Sequence, residues 1–487
     1  MRLAPVVLCA ALLAACGTTV PQTTAVAHGS SDGLGQPTAP DAAPGPGTTA
    51  APGLPPRSDL PPGASTSTAL GAAATAATGV AGSLAPLKVG WVVLQSNSAA
   101  ASGLGLSSVA TPDQTPYAQA MVDWLNAHGG LGGHRVVPVY DHMDASGSQT
   151  TEQYGSTACA LFTQDNHVDL VVDPSIGGAA PTLVECLDKH HVPHIDLTGV
   201  LDATSADAAR HRTFFPVASL ADDSLAALEV AALVTRGFYA TGSVVGVVTY
   251  DEPVFHDAVT AVFAPQLKAR TGLALQDPNV VYLPAYSSVA DTGSISVAVS
   301  NAVLRFRTQG VNRVVFLQNF SLATLLFMRA ADNQGYHPTY GLSSNDSPQT
   351  LVGLAPNGQL QDAVGFGWRP VYDVTSAQQL QPGRAFCLAV FKAKGLAFSP
   401  ASASEAAALR HCEGALVLKA GLDASAGALG APLVSALETR MSSYRSATVL
   451  GITLSPQHHD GVGVYRDITW SGSCGCFRYT SGPKPVR

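Results

Sequence analysis

Charged and aromatic side chains are scarce in this 487-residue chain, at 12% and 7%, whereas glycine and proline together reach 80 positions (47 and 33). Lysine and arginine number 26 against 34 acids, so no basic surface with interleaved aromatics is available and nucleic acid is not an expected partner. No Gly-x-Ser-x-Gly elbow, Walker glycine loop or dinucleotide fingerprint follows a predicted strand, and His-Glu-x-x-His is absent. The common hydrolase, nucleotide and zinc-protease chemistries therefore have no template, and neither an enzyme activity nor a cofactor is expected. Beyond the N-terminal segment no apolar run is long and uninterrupted enough to cross a bilayer. No repeat of solenoid period occurs.

The first residues, MRLAPVVLCAALLAACG, combine one arginine, a short apolar run and small residues, the layout of a secretory signal. Leu13-Ala14-Ala15-Cys16 resembles a bacterial lipobox, which implies cleavage before Cys16, diacylglycerol on its thiol and anchoring to the outer face of the cytoplasmic membrane. A plain signal peptide cut after the same alanines is the alternative. Residues 17–86 are Thr, Ala, Pro, Gly and Ser with almost no large apolar side chain, a composition that cannot offset chain entropy by burial. They read as a tether averaging about 50 Å and extending to the order of 200 Å.

Six cysteines lie beyond the lipobox: Cys159, Cys186, Cys387, Cys412, Cys474 and Cys476. An even number in an oxidising compartment favours disulfides, although spacing alone leaves about fifteen connectivities. Cys159 and Cys186 fall in consecutive predicted helices, as do Cys387 and Cys412, so those two pairings are preferred. Each closes a loop of roughly 25 residues, worth about 3 to 4 kcal/mol in the chain-entropy model. Cys474-Gly475-Cys476 leaves a small-ring bridge, a metal thiolate site and thiol exchange open, with a structural bridge the expectation.

Between residues 117 and 140 the chain reads YAQAMVDWLNAHGGLGGHRVVPVY. Tyr117, Met121, Trp124, Leu125 and His128 recur at helical intervals, Gly129 and Gly130 end the helix, and Val136, Val137 and Val139 begin a buried strand. With the apolar run at 89–94 this makes a parallel βαβ unit of right-handed crossover. Helix 151–164, strand 168–172, helix 181–190 and strand 194–197 continue it. A second series runs through helix 220–235, strand 244–250, helix 255–271, strand 279–283, helix 294–309, strand 313–317 and helix 322–335. Two such series predict an α/β protein of two Rossmann-like lobes with parallel sheets.

The order is similar to the type I periplasmic binding protein family, which includes the leucine/isoleucine/valine-binding receptors. The segments that carry the resemblance are KVGWVVL, YAQAMVDWLNAHGGLGGHRVVPVYDHMDA, DNHVDLVVDPSIGGAAPTLVECLDKHHVPHIDLTG, SVVGVVTYDEPVFHDAV and NRVVFLQNFSLATLLFMRAADNQGY. It implies three crossings between lobes, near 215–219, 368–373 and 464–469. The lobes would then comprise 87–217 with 370–467, and 218–369 with 468–487.

Ligands of open α/β sheets sit beyond the carboxyl ends of strands. After strand 168–172 the small residues Ser175, Gly177, Gly178 and Ala179 precede a helix N-terminus and leave backbone N–H groups open to an anion. Asp173 stands where the family usually has glycine. The resemblance puts contacts there, at Thr198 and Gly199, and on the second lobe at Tyr250, Phe255, Phe320, Ser321, Ser344, Asn345 and Asp346. An aromatic wall with one acid suits an amino acid or amine. The sequence departs from the amino-acid binders, which carry tyrosine where Phe320 or Ser321 aligns and glutamate where Ser344 aligns; Asp346 either substitutes or caps the following helix. The long loop at 95–115 is a candidate cleft lip. His190, His191 and His194, and separately His458, His459 and Asp460, are histidine clusters without a four-ligand metal pattern, and no metal is expected.

The resemblance implies a monomeric, lipid-anchored solute-binding protein that closes on a small polar ligand and presents it to an ABC permease. A ligand sensor without transport, and a cell-envelope thiol or metal protein, are the alternatives.

Overall fold

A computed structural model of the chain describes residues 84–487 apart from 104–109, 145–148, 176–179, 288 and 319–320. The lipobox, residues 17–83 of the tether, and Gly177, Gly178, Ala179 and Phe320 lie outside the described residues. The last three residues assigned to the tether, 84–86, open the first strand instead.

Sheet one contains β1 (Leu84–Leu94), β2 (His134–Met143), β3 (Leu170–Asp173), β4 (His194–Asp196) and β5 (Phe214–Pro216). Its order is β2-β1-β3-β4-β5, every pairing parallel. Sheet two contains β6 (Val245–Tyr250), β7 (Val280–Leu283), β8 (Arg313–Leu317), β9 (Thr339–Leu342) and β10 (Val364–Gly367), with β11 (Val464–Ser471) and β12 (Cys476–Tyr479) antiparallel at one edge; β13 (Lys484–Pro485) pairs with β11. In both sheets the second strand lies on one side of the first and the third on the other. That reversal opens a crevice at the carboxyl ends of the strands.

Numbering the helices of eight residues or more, α1 (Thr115–Ala127) joins β1 to β2, α2 (Thr151–Ala160) and α3 (Pro181–Lys189) flank β3, and α4 (Asp222–Thr235) leads into the second lobe. There α5 (Ala264–Thr271), α6 (Thr292–Thr308) and α7 (Leu322–Asn333) alternate with strands. The chain then returns to the first lobe as α8 (Arg384–Ala393), α9 (Ala403–Ala424) and α10 (Ala431–Arg440).

Local sequence explains these elements. Helix α1 buries Tyr117, Met121 and Leu125 on the face given by their spacing. It ends where Gly130, at φ 70°, donates its N–H to Leu125 O at 2.8 Å; a Cβ there would meet His134 O at 1.9 Å. Thr150 caps α2 reciprocally with Gln153, and α2 runs on as a π-helical turn, Leu161–Asp165. Strands β3, β4 and β6 are buried throughout, as expected of strands covered on both faces.

The lobes meet at three segments. Trp368 Nε1 donates to Ala218 O at 3.3 Å, Leu450 N–H donates to Trp368 O at 2.9 Å and Gly461 N–H to Pro216 O at 3.0 Å. The last return to sheet two begins at Val464, because Arg466 and Asp467 already pair with Gly367 and Phe366 of β10; residues 464–467 thus belong to the second lobe rather than the first.

Disulfides join Cys159 to Cys186, across α2 and α3, and Cys387 to Cys412, across α8 and α9. Cys474 and Cys476 form a third in the turn between β11 and β12, so the thiolate readings of that motif give way to a bridge.

Candidate functional site

A cleft of about 490 Å³ opens between the lobes at the carboxyl ends of the strands. Leu94 at the end of β1 and Asn97, Thr111 and Gln114 of the loop after it contribute the lip, and Thr198 and Val200 follow β4. The start of α9 adds Ala403, Ala406 and Arg410. Across from them, the second lobe supplies Ser321, Leu322, Leu325, Asn345 and an apolar wall of Leu351, Val352 and Leu354, while Arg369 and Tyr372 come from the crossing after β10.

Arg369 spans the gap. Its Nη1 donates to Gly199 O at 3.4 Å on the first lobe, and its Nη2 to Ser344 O at 2.8 Å and Asn345 Oδ1 at 2.9 Å on the second. The guanidinium also stands over the Tyr372 ring at 5.3 Å. Burial holds its pKa below the ordinary value. Gly199 has φ 78°, and a Cβ there would come within 2.0 Å of Arg369 Nη1. Only glycine fits this close approach.

A chain of polar groups runs from the first lobe's core to the lip. Trp91 Nε1 donates to His411 Nδ1 at 2.9 Å, His411 Nε2 meets Gln114 Oε1 at 3.0 Å, and Gln114 Nε2 reaches Thr111 Oγ1 at 3.4 Å. Thr111 donates its backbone N–H to Asn97 Oδ1 at 2.6 Å. Burial, then the charge of Arg410, lowers the His411 imidazole to about 3.

The residues singled out in the sequence divide. Thr198, Ser321 and Asn345 line the cleft, and Gly199 touches it through Arg369. Ser344 is a buried hub: its Oγ accepts from the Trp368 and Arg369 backbone N–H groups at 2.7 and 3.1 Å and donates to Asp373 Oδ2 at 3.0 Å. Burial pushes the Asp373 carboxyl up to about 7. Asp346 is wholly buried; its Oδ1 accepts from Thr324 at 2.6 Å and Gln318 at 2.8 Å, and its Oδ2 accepts from the Ser343 N–H at 2.7 Å. It caps the turn Ser344–Asp346 and is not among the cleft-lining residues. Tyr250 and Phe255 pack in the second lobe's core with centroids 5.9 Å apart. Ser175 donates its N–H to Asp173 Oδ1 at 2.9 Å beside the undescribed 176–179.

Within the histidine clusters, His194 and His459 are buried. His194 lies buried 3.5 Å from Asp173, and His459 bridges Phe214 O and Glu438. No group of metal-binding side chains occurs among the described residues. Sequence reasoning did not single out Arg369 or Arg410, and it gave Gln114 only as part of the 95–115 lip. For Arg410 the signal was polar residues within an otherwise apolar helix, ALRHCEGALV.

A sequence profile described as periplasmic binding protein matches residues 86–466. No curated protein matches the chain. Among solved structures, a solute-binding protein of an ABC transporter from Rhodopseudomonas palustris BisB5, in complex with 3,4-dihydroxybenzoic acid, is 13% identical with a TM-score of 0.57, covering 82% of this chain and 98% of its own. A second from R. palustris, in complex with benzoate, is 17% identical with a TM-score of 0.56, covering 82% and 96%. A leucine-binding protein from Thermotoga maritima is 12% identical with a TM-score of 0.53, covering 81% and 98%.

Proposed function

The chain belongs to the periplasmic binding protein family, and from that premise we propose that it captures a small polar organic solute between its lobes and delivers it to an ABC-type importer. The observation that carries this reading is the interlobe cleft, whose walls come from loops of both sheets and whose lobes are joined by three segments. A ligand touching both walls binds the closed arrangement more tightly than the open one, so its binding energy shifts the hinge equilibrium. No bond needs to be made or broken.

The R. palustris proteins are in complex with benzoates, and the T. maritima protein is named for leucine. All contain a carboxylate. The amino acid expected from the sequence belongs to the same broad class, although Asp346, its candidate ammonium partner, is enclosed by hydrogen bonds.

We further infer attachment by lipid at Cys16 on the outer face of the cytoplasmic membrane, with residues 17–83 as tether. The support is the lipobox-like Leu13-Ala14-Ala15-Cys16. Transport is preferred to sensing because the similar solved proteins are parts of ABC transporters.

The test is a thermal-shift screen of the mature chain against amino acids, amides, polyamines and small aromatic acids, followed by small-angle scattering with each stabilising solute. A ligand bound only by the folded form raises Tm, and closure lowers the radius of gyration. Stabilisation without any compaction would overturn capture by closure.

A further inference from the structure

Charge in the cleft is one-sided. Its described lining contains two arginines, Arg369 and Arg410, and no aspartate or glutamate. The two guanidinium groups differ in what they already hold. Both terminal nitrogens of Arg369 are committed to Gly199, Ser344 and Asn345. Arg410 makes no hydrogen bond or ion pair with any described residue, and its Nε is shut off from solvent. A cation partly withdrawn from water without a counter-charge is unfavourable until an anion joins it. The nearest ionisable neighbour on the same helix, His411, is neutral, and the acid at the start of α9, Glu405, is bound to Arg384 at 2.6 Å. Asp373, which acts on Arg369, is tied to Ser344 and Tyr479 and is not in the lining.

A second donor is set by the buried relay. An indole nitrogen can only donate, so Trp91 makes His411 Nδ1 an acceptor and places the imidazole proton on Nε2. That proton points at Gln114 Oε1. With its oxygen held, Gln114 turns its NH2 group to the lip, where Thr111 engages one of its two hydrogens at 3.4 Å. The other has no partner among the described residues. Opposite, Leu322, Leu325, Leu351 and Val352 offer an apolar surface.

We propose that the cleft selects a small organic anion with an apolar body, a carboxylate and no ammonium group, Arg410 supplying its charge partner and Gln114 an oriented donor. This rests on capture between the lobes. An ammonium ion would face two guanidiniums and, among the described residues, no available carboxylate, so zwitterionic amino acids and amines are disfavoured.

The test uses matched probes on the mature chain: benzoate, benzamide and benzylamine, then 4-methyl-2-oxopentanoate and L-leucine, which differ at the ammonium-bearing carbon. Titration calorimetry should show binding of benzoate or the oxo acid, and none of benzylamine or L-leucine. Arg410→Gln should weaken the carboxylate by about 10- to 100-fold, Arg410→Lys by less, and Arg440→Gln, an exposed arginine on α10, not at all. Since Arg410 has no partner among the described residues, the free Arg410→Gln protein should not lose Tm, which separates lost binding from lost folding. L-leucine binding as tightly as its oxo acid, unchanged carboxylate affinity in Arg410→Gln, or no binding by either carboxylate would each overturn the inference. Compaction with an amine or neutral solute alone overturns it while leaving capture intact; no compaction with any solute overturns both.

Discussion

Arg369 and Gly199 sit on opposite lobes, and the guanidinium of one reaches the carbonyl of the other at 3.4 Å over a position with no room for a side chain. Gly199→Ala should therefore act twice. A non-glycine residue at φ 78° costs about 1 to 3 kcal/mol, and the new methyl group displaces Arg369 from its acceptor. Urea unfolding should register the loss of stability and calorimetry a weaker ligand affinity. Unchanged unfolding would mean that the loop adapts.

Asp346 is expected to matter for stability before it matters for binding. Asp346→Ala strands the donors of Gln318, Thr324 and Ser343 in a buried site, at a cost of about 2 to 4 kcal/mol. A lower urea midpoint for the ligand-free variant is the expected result. Weakened binding at unaltered stability would restore it as a direct contact.

Glu413, buried on α9, accepts from the Ala447 N–H at 2.5 Å, and burial pushes its carboxyl up to about 7. Between its ordinary 4.5 and about 7 the folded chain holds a proton that the unfolded chain has released. The stabilisation is complete below pH 4.5 and disappears as pH rises through about 7. Glu413→Gln keeps the acceptor and removes the titration, so it should match the parent near pH 4.5 and exceed it at pH 8 by on the order of 1 to 3 kcal/mol. Parallel stability curves across that range would contradict this.

The Cys387–Cys412 bridge staples α8 to α9 over a separation of 25 residues. Replacing both with alanine should remove about 3 to 4 kcal/mol through the entropy of the unfolded chain. Denaturant titration of the paired variant, with the other two bridges oxidised, measures it.

Cys16→Ala should release the mature protein from membranes into the soluble fraction, because no helix among the described residues is long and apolar enough to cross a bilayer. Retention of the variant in washed membranes would count against the lipid anchor.

The scaffold was legible because it is local: the 3- and 4-residue spacing of Tyr117, Met121, Trp124 and Leu125, the glycines after them and the valine runs each specify one element. Both long disulfides were legible because they join consecutive helices. The cleft was legible only in part: Thr198, Ser321, Asn345 and the 95–115 lip were named from the sequence and line it, but its charged members were not, since they come from distant parts of the chain. Arg369 follows a strand in the second lobe and Arg410 lies inside a helix of the first, and nothing in their neighbours brings them together. Asp346 was ambiguous for a related reason. Its partners Gln318 and Thr324 lie outside its own turn, and only they decide that it caps a buried network.

Five successive residues of α9 look outward at five different things. Arg410 lines the cleft, His411 meets Trp91, Cys412 is bonded to Cys387, Glu413 accepts from Ala447, and Gly414 lies so close to β3 that a Cβ would meet Val172 at 2.4 Å. An α-helix turns about 100° per residue, so inserting or deleting a single residue here would swing all five onto the wrong neighbours at once. Descendants of this chain can explore new ligands by exchanging the side chain at position 410, but not by lengthening or shortening the helix that carries it.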